Sequence, residues 1–318
     1  GATVTSTDCI NWTANYVSFN DTLNEVHWTG TKFIAVSSSS TIYSTTDGVN
    51  WIIESSNTNW SDTLYVSSIG KTVVVGPNTM VGVSTDHLTY YYKRLDSGNV
   101  SFNDAYWDGS RLLVLSSSGI WSSADGDTWT KISTTGGTSI VYEPSLSLYV
   151  MVAANISTST DAITWTTRQT GGLTKYSVAW SPIANRFVVS ANGGTIYTSI
   201  DGITWTSSTP FGASFTGRCV IWHNDKFILT GGGYVFTSAD GITWTQRATG
   251  LAVIEDIIWD GAQYVGIGSY GEVITSPDGI SWTTRTTTGR QPSLSFGVTN
   301  AITRHEIYYW WRSRNNIW

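Results

Sequence analysis

The chain has 318 residues, of which only 13% are charged, and carries a formal net charge of −6. That field, with no Lys/Arg-rich run to offset it, excludes a phosphate-backbone partner, so no nucleic acid is expected. No apolar run approaches the roughly 18 residues of a membrane helix, so no membrane insertion is expected, and a surface made polar by Ser, Thr, Gly and Asn suits an extracellular or virion-surface β protein.

The chain opens with ATVTSTDCINWT, two short β-runs about a turn at Asp8. The same turn returns at Asp47, Asp86, Asp125, Asp161, Asp201, Asp240 and Asp278, with gaps of 36 to 40 residues. Two residues before each stands a hydroxyl, from Ser6 and Thr45 through to Ser276. Four residues after each stands an aromatic: Trp12, Trp51, Tyr90, Trp129, Trp165, Trp205, Trp244 and Trp282. Gly follows the Asp in five copies, while Cys9, His87 and Ala162 take its place in the others. A Ser-x-Asp-Gly segment between β-rich runs is a tight hairpin. The carboxylate accepts from backbone N–H groups ahead of it, and Gly permits positive φ. The aromatic then covers the turn, and burying a Trp removes roughly 150–250 Å² from water.

Ahead of each turn come two apolar runs, such as EVHW and KFIAVS, AYW and RLLVLS, YSVAW and RFVVSA, or VIW and KFILT. Each unit is therefore four short strands, A to D, in about 39 residues, with no helical period. Such a repeat predicts an all-β fold, a β-propeller. The opening strands lack A and B partners, and LSFGVTNAITRHEIYYWW near the C-terminus lacks a C–D hairpin. Residues 1–16 and about 293–318 are expected to complete one blade together. The chain would then be one domain of eight blades. The alternative is seven blades with a C-terminal extension. Cys9 and Cys219 would lie two blades apart, too far for a disulfide, and are expected as free, mostly buried thiols.

The motif S-x-D-G-x-x-W resembles the Asp-box, S-x-D-x-G-x-T-W, of BNR-repeat propellers, with one residue fewer between Asp and Gly. It is similar also to the S-x-D-G-x-T-W-T repeats of phage tail-fibre and secreted bacterial proteins. The resemblance implies that the eight motif aspartates are structural turns remote from any active site, and that the setting is extracellular or on a virion. It carries no ligand with it.

Sialidases share the Asp-box, and their site gathers three arginines. Arg168, Arg247 and Arg285 recur at one repeat position, so they would be spread over different blades and are expected as solvated D-strand residues. The histidines, His27, His87, His223 and His305, fall in separate units without metal-ligand spacing. Each turn offers one carboxylate where Ca²⁺ wants 6–8 oxygens. Neither a metal, a cofactor nor an enzyme activity is expected.

Subtracting the repeat leaves a few residues without a packing role. Trp60 stands in the D–A loop NTNWSDT, and Tyr270 in the B–C loop GSYGE. Both are candidates for stacking on a sugar. Asp21, Asp62, Asp104 and Asp256 recur where strand A begins. They are read either as a cation- or polar-ligand ring at one mouth of a central channel, or as caps of the loops entering strand A. The function expected is a non-catalytic binding or adhesion module recognising a surface glycan. The alternatives are a structural decoration or assembly subunit docking protein partners, or a glycoside hydrolase.

Overall fold

The computed structural model describes residues 2–6, 11–16, 23–29, 31–37, 41–56, 59–248, 254–259, 262–268, 273–285 and 287–288. They fall into two compact units, one of residues 1–136 with the segment from Arg285, the other Gly137–Thr284. The proposed partner strands at 293–318 and Cys9 lie outside the described residues.

The first unit begins with β1 (Ala2–Thr5) and β2 (Trp12–Tyr16), an antiparallel pair. Two four-stranded antiparallel sheets follow: β3 (Leu23–Trp28), β4 (Phe33–Ser37), β5 (Thr41–Thr45), β6 (Ile52–Ser56); then β7 (Asp62–Val66), β8 (Lys71–Val75), β9 (Met80–Ser84), β10 (Tyr91–Arg94). A third has β11 (Phe102–Trp107), β12 (Leu112–Ser116), β13 (Gly119–Ser123) and β14 (Thr130–Ser133).

The second unit holds four such sheets. They are β15 (Ser139–Glu143), β16 (Leu148–Val152), β17 (Ile156–Ser159), β18 (Thr166–Gln169); β19 (Lys175–Ser181), β20 (Arg186–Ala191), β21 (Ile196–Ser199), β22 (Thr206–Ser208); β23 (Cys219–His223), β24 (Lys226–Gly231), β25 (Tyr234–Ser238), β26 (Thr245–Ala248); and β27 (Ile254–Trp259), β28 (Tyr264–Gly268), β29 (Val273–Ser276), β30 (Thr283–Arg285). Finally β31 (Thr287–Thr288) runs parallel to β2, in the first unit. Thus the segment seen beside the N-terminal hairpin is 287–288, on the side of β2 away from β1. Among the described residues no helix is long and apolar enough to cross a membrane.

Successive A strands pack side by side, β7 on β3 and β11, and β19 on β15 and β23. The core lies between the broad faces of neighbouring sheets. Leu64, Val73 and Val75 meet Phe102, Val114 and Trp121 in one layer, and Ile228 and Val235 meet Ile254, Ile257 and Ile274 in another. A B strand that lies between two sheets of one unit is covered on both faces, which explains the near-continuous apolar run of the buried β20. D strands are the exposed edges, and β18, β22 and β26 meet water with Thr, Ser and Gln.

The motif turn is the joint of the design. In the turn at Asp201, the Ser199 hydroxyl donates to Asp201 Oδ1 at 2.9 Å, and the same oxygen accepts from the N–H groups of Ile203 and Thr204 at 2.8 and 2.9 Å. The Gly202 N–H donates to Ser199 Oγ, and Trp205 Nε1 donates to the Gly202 carbonyl. Asp47, Asp86, Asp125, Asp161, Asp240 and Asp278 accept the same pair of N–H groups. The turn residue after the Asp is left-handed in each, at φ +70° in Gly202 and +60° in Ala162. The motif Trp is only half-buried in the described copies, so it gains less than full burial would give. The larger payload is the aromatic four residues before the Asp: Tyr43, Trp121, Tyr197 and Phe236 are all buried.

A Cβ on Gly241 would meet Val188 Cγ2 at 2.6 Å, and one on Gly202 would meet Leu148 Cδ2 at 2.4 Å. The motif glycine therefore presses against the start of strand B in the preceding sheet.

The hydrogen bonds hold the turn carboxylates low. Asp161 is depressed to about 2, first by the Thr164 N–H, then by Ile163 and Ser159. Asp47 and Asp125 lie well below the usual carboxylate range, led by the Asn50 and Thr128 N–H groups respectively. A depressed folded pKa adds stability that is complete above the unfolded value near 4 and is lost as pH falls through the folded value. Urea midpoints measured across pH 6 to 2 are expected to stay level to about pH 4 and then fall steeply toward pH 2. A level profile to pH 2 would contradict the turn geometry.

Candidate functional site

The residues singled out from sequence separate in the structure. Trp60 is wholly buried, packed among Ile34, Val36, Ile42, Val74 and Tyr90 and stacked on Tyr92 at 5.4 Å. With its ring faces covered it has no surface to offer a sugar, which corrects its reading as a ligand platform. The loop carrying it is drawn inward because the Trp60 N–H donates to the Ser37 carbonyl of the preceding sheet.

Asp62 is also buried. Its Oδ1 accepts from the Thr63 N–H at 2.8 Å and its Oδ2 from the Ala105 N–H of the next sheet at 2.9 Å. The carboxylate staples β7 to β11, two inner strands that share no ladder. It is occupied by backbone donors, which corrects its place in a ligand ring. Ser177 does the same work in the second unit, with its hydroxyl 3.3 Å from both the N and the O of Val220. Asp104 is half-buried on β11, next to a bulge. Asp21, Tyr270 and the Asp256 side chain lie outside the described residues, as does Asp8. Among the described residues no three His, Cys, Asp or Glu side chains gather as a metal site would need.

Other assignments have local explanations. Arg168 and Arg247 are half-buried and donate through Nε to Thr158 and Thr237 on the adjacent C strand, at 2.8 and 2.7 Å. They stay partly exposed on D strands, each tied to its own sheet through Nε. His223 lies against Trp259 and bonds the Tyr264 hydroxyl at 3.0 Å through Nδ1. His87 bonds Thr72 at 2.7 Å. Cys219 is a half-buried thiol on β23 that forms no disulfide among the described residues.

The structure brings together a different set at the B–C and D–A end of the second unit. Asn192, in the turn after β20, accepts at Oδ1 from the Tyr176 hydroxyl at 3.0 Å and from the Thr216 hydroxyl at 3.2 Å. Two donors on one oxygen fix the amide plane and commit both Nδ2 N–H groups to donation elsewhere. Exposed Arg218 lies over the Tyr176 ring, its Cζ 5.4 Å from the centroid. The loops around them are tightly set. Gly194 donates its N–H to the Phe215 carbonyl at 2.7 Å. Phe215 is buried, and beside it stands the 37% exposed ring of Tyr234, with centroids 6.4 Å apart.

Beneath the same loops Lys175 is fully buried. Its amine donates to the carbonyls of Ala154, Gly171 and Leu173 at 2.6, 3.3 and 3.1 Å and lies 4.9 Å from the centre of the Tyr197 ring. Burial pushes its pKa down. Lys175 is a pin for the 171–174 loop rather than a reagent, since carbonyls take its donors. The arrangement is a rigid, donor-rich polar surface with aromatic rings at its edge. Its residues come from three stretches, 175–176, 192–194 and 211–218, with Tyr234 beside them, at positions outside the repeat motif. The sequence signal was the local break in the repeat, at Asn192-Gly193-Gly194 and at the long 209–217 connection.

No family model and no curated protein matches the chain in sequence. Comparison with solved structures defines the class: the fold is a β-propeller built from four-stranded antiparallel sheets. The chain is similar to the structure of YCF48 bound to D1 peptide, with a TM-score of 0.59 and 17% identity over 88% of this chain and 99% of that one. It is similar to the computationally designed Ika8 protein, at TM-score 0.65 and 11% identity over 88% and 90%. The RRP9 WD40 repeats follow at TM-score 0.57 and 9% identity over 84% and 92%. At these identities the likeness establishes the fold alone.

Proposed function

We propose that this chain is a non-catalytic binding module, displayed on a virion or cell exterior, that recognises a surface glycan at the Tyr176–Asn192–Arg218 surface. In this reading the sheet of β1, β2 and β31 belongs to an eighth blade drawn from both ends of the chain. The observation that carries the glycan reading is the fixed Asn192 amide, held by two hydroxyls so that its N–H groups point to one acceptor geometry. Sugars are bound by such preset amide and guanidinium donors beside aromatic rings, because a donor held in place loses little entropy on binding. The weakly charged, hydroxyl-rich composition supports the same reading.

The test is a glycan array probed with the full chain, followed by titration of any hit. Tyr176→Ala and Asn192→Ala are expected to weaken binding by about tenfold or more, since each removes a hydrogen bond or its support, while thermal midpoints stay close to wild type. Absence of any glycan hit, or hits untouched by both variants, would remove the reading.

A further inference from the structure

The opposite end of the second unit has a different character. A–B and C–D turns lie there together, as the contacts of Gly202 with Leu148 and of Gly279 with Lys226 show. The residue two places after the motif Asp is aliphatic in each of its turns: Ile163, Ile203, Ile242 and Ile280, 42–52% exposed. Ile183 and Ile200 stand at the same end, 67% and 54% exposed.

The charges there are unbalanced in a specific way. In the first unit Lys71, at the start of a B strand, reaches into the next turn. It bonds the Asp125 carbonyl at 2.7 Å and pairs with Asp127, the residue two places after the motif Asp. In the second unit Arg186 and Lys226 hold the equivalent B-strand position, against Gly241 and Gly279. The place of Asp127 is taken by Ile242 and Ile280. Neither base has an ion-pair partner among the described residues, and Arg186 Nε is buried without an acceptor. Meanwhile Asp161, Asp201, Asp240 and Asp278 engage their turns through Oδ1 and are exposed.

We propose that this turn end of residues 137–284 is the contact face of a homodimer, a second copy of the chain lying across it about a two-fold axis. The face holds both halves of what it lacks: cations recessed at the B-strand starts and carboxylates raised on the turns. A copy turned over sets the raised Asp and Ile of one chain against the recessed Arg186 and Lys226 of the other. The apolar area is sufficient. Covering the exposed half of an aliphatic side chain removes on the order of 70 Å². Six give roughly 400 Å², near the apolar share of the ~800 Å² each partner contributes to a standard interface. This face is at the far end of the sheets from Asn192, so the proposal stands independently of the glycan reading.

The experiment is sedimentation velocity of the full chain from about 1 to 100 μM. The wild type is expected at twice the chain mass at the upper concentrations. Ile203→Asp with Ile242→Asp is expected to weaken the dimer by at least about tenfold with an unchanged circular dichroism spectrum, while Asn192→Ala leaves it intact. A wild type that stays monomeric throughout overturns the proposal, and so does a folded double variant that still dimerises. Should the double variant not fold, Ile183→Asp gives the same readout at a more exposed position.

Discussion

Trp60→Ala is expected to lower the free energy of unfolding by about 3–5 kcal/mol, the usual cost of emptying a fully enclosed Trp site. The indole fills a space bounded by strands of two successive sheets, β4 and β5 on one side and β8 on the other, with Tyr92 stacked on its face. Truncation leaves a cavity that strand backbones locked in ladders cannot collapse into. Trp51→Ala, at a half-buried motif position, is the internal control and is expected to cost distinctly less. Urea denaturation followed by fluorescence reads both. On the proposed glycan reading, binding by whatever fraction remains folded is expected to be unchanged, because Trp60 belongs to the core. A Trp60 variant with wild-type stability and lost binding would reverse this assignment.

Gly231→Ala is expected to cost about 3 kcal/mol or more, since it forces backbone against backbone. At φ +157° an added Cβ would stand 1.9 Å from the Thr216 carbonyl oxygen and 3.1 Å from the Gly217 Cα. No side-chain rotation relieves that contact, so the 216–218 segment must move. That segment carries Thr216 and Arg218. If the proposed site binds a glycan, the same substitution is expected to reduce that binding in the folded fraction, coupling stability to the site. Gly171→Ala is the comparison. It meets nothing within 4 Å but sits at φ +70°, so its cost is limited to the left-handed backbone, about 1 kcal/mol. Equal thermal midpoints for the two variants would contradict the close approach at Gly231.

The repeat was legible because its determinants are local. A hydroxyl, a carboxylate and a glycine within four residues decide the turn at Asp201 wherever it occurs, and the apolar runs before it can only pair as strands. Trp60 is not legible as a core residue because its burial is decided elsewhere. Its surroundings include Ile34, Val36 and Ile42 from the preceding repeat, and no offset along the chain announces them. Asp62 shows the same limit, since its partner Ala105 is 43 residues away. The Asn192 site draws on two adjoining repeats at positions where each departs from the common pattern. A consensus reading averages such departures away.

The way each turn leans on the sheet behind it also bears on how such a chain is built. Within residues 137–284 the clasp of Gly202, Gly241 or Gly279 is made to the preceding B strand, and one joint closely resembles the next. Unequal recombination that adds or removes one whole repeat recreates the same joint on both sides of the splice.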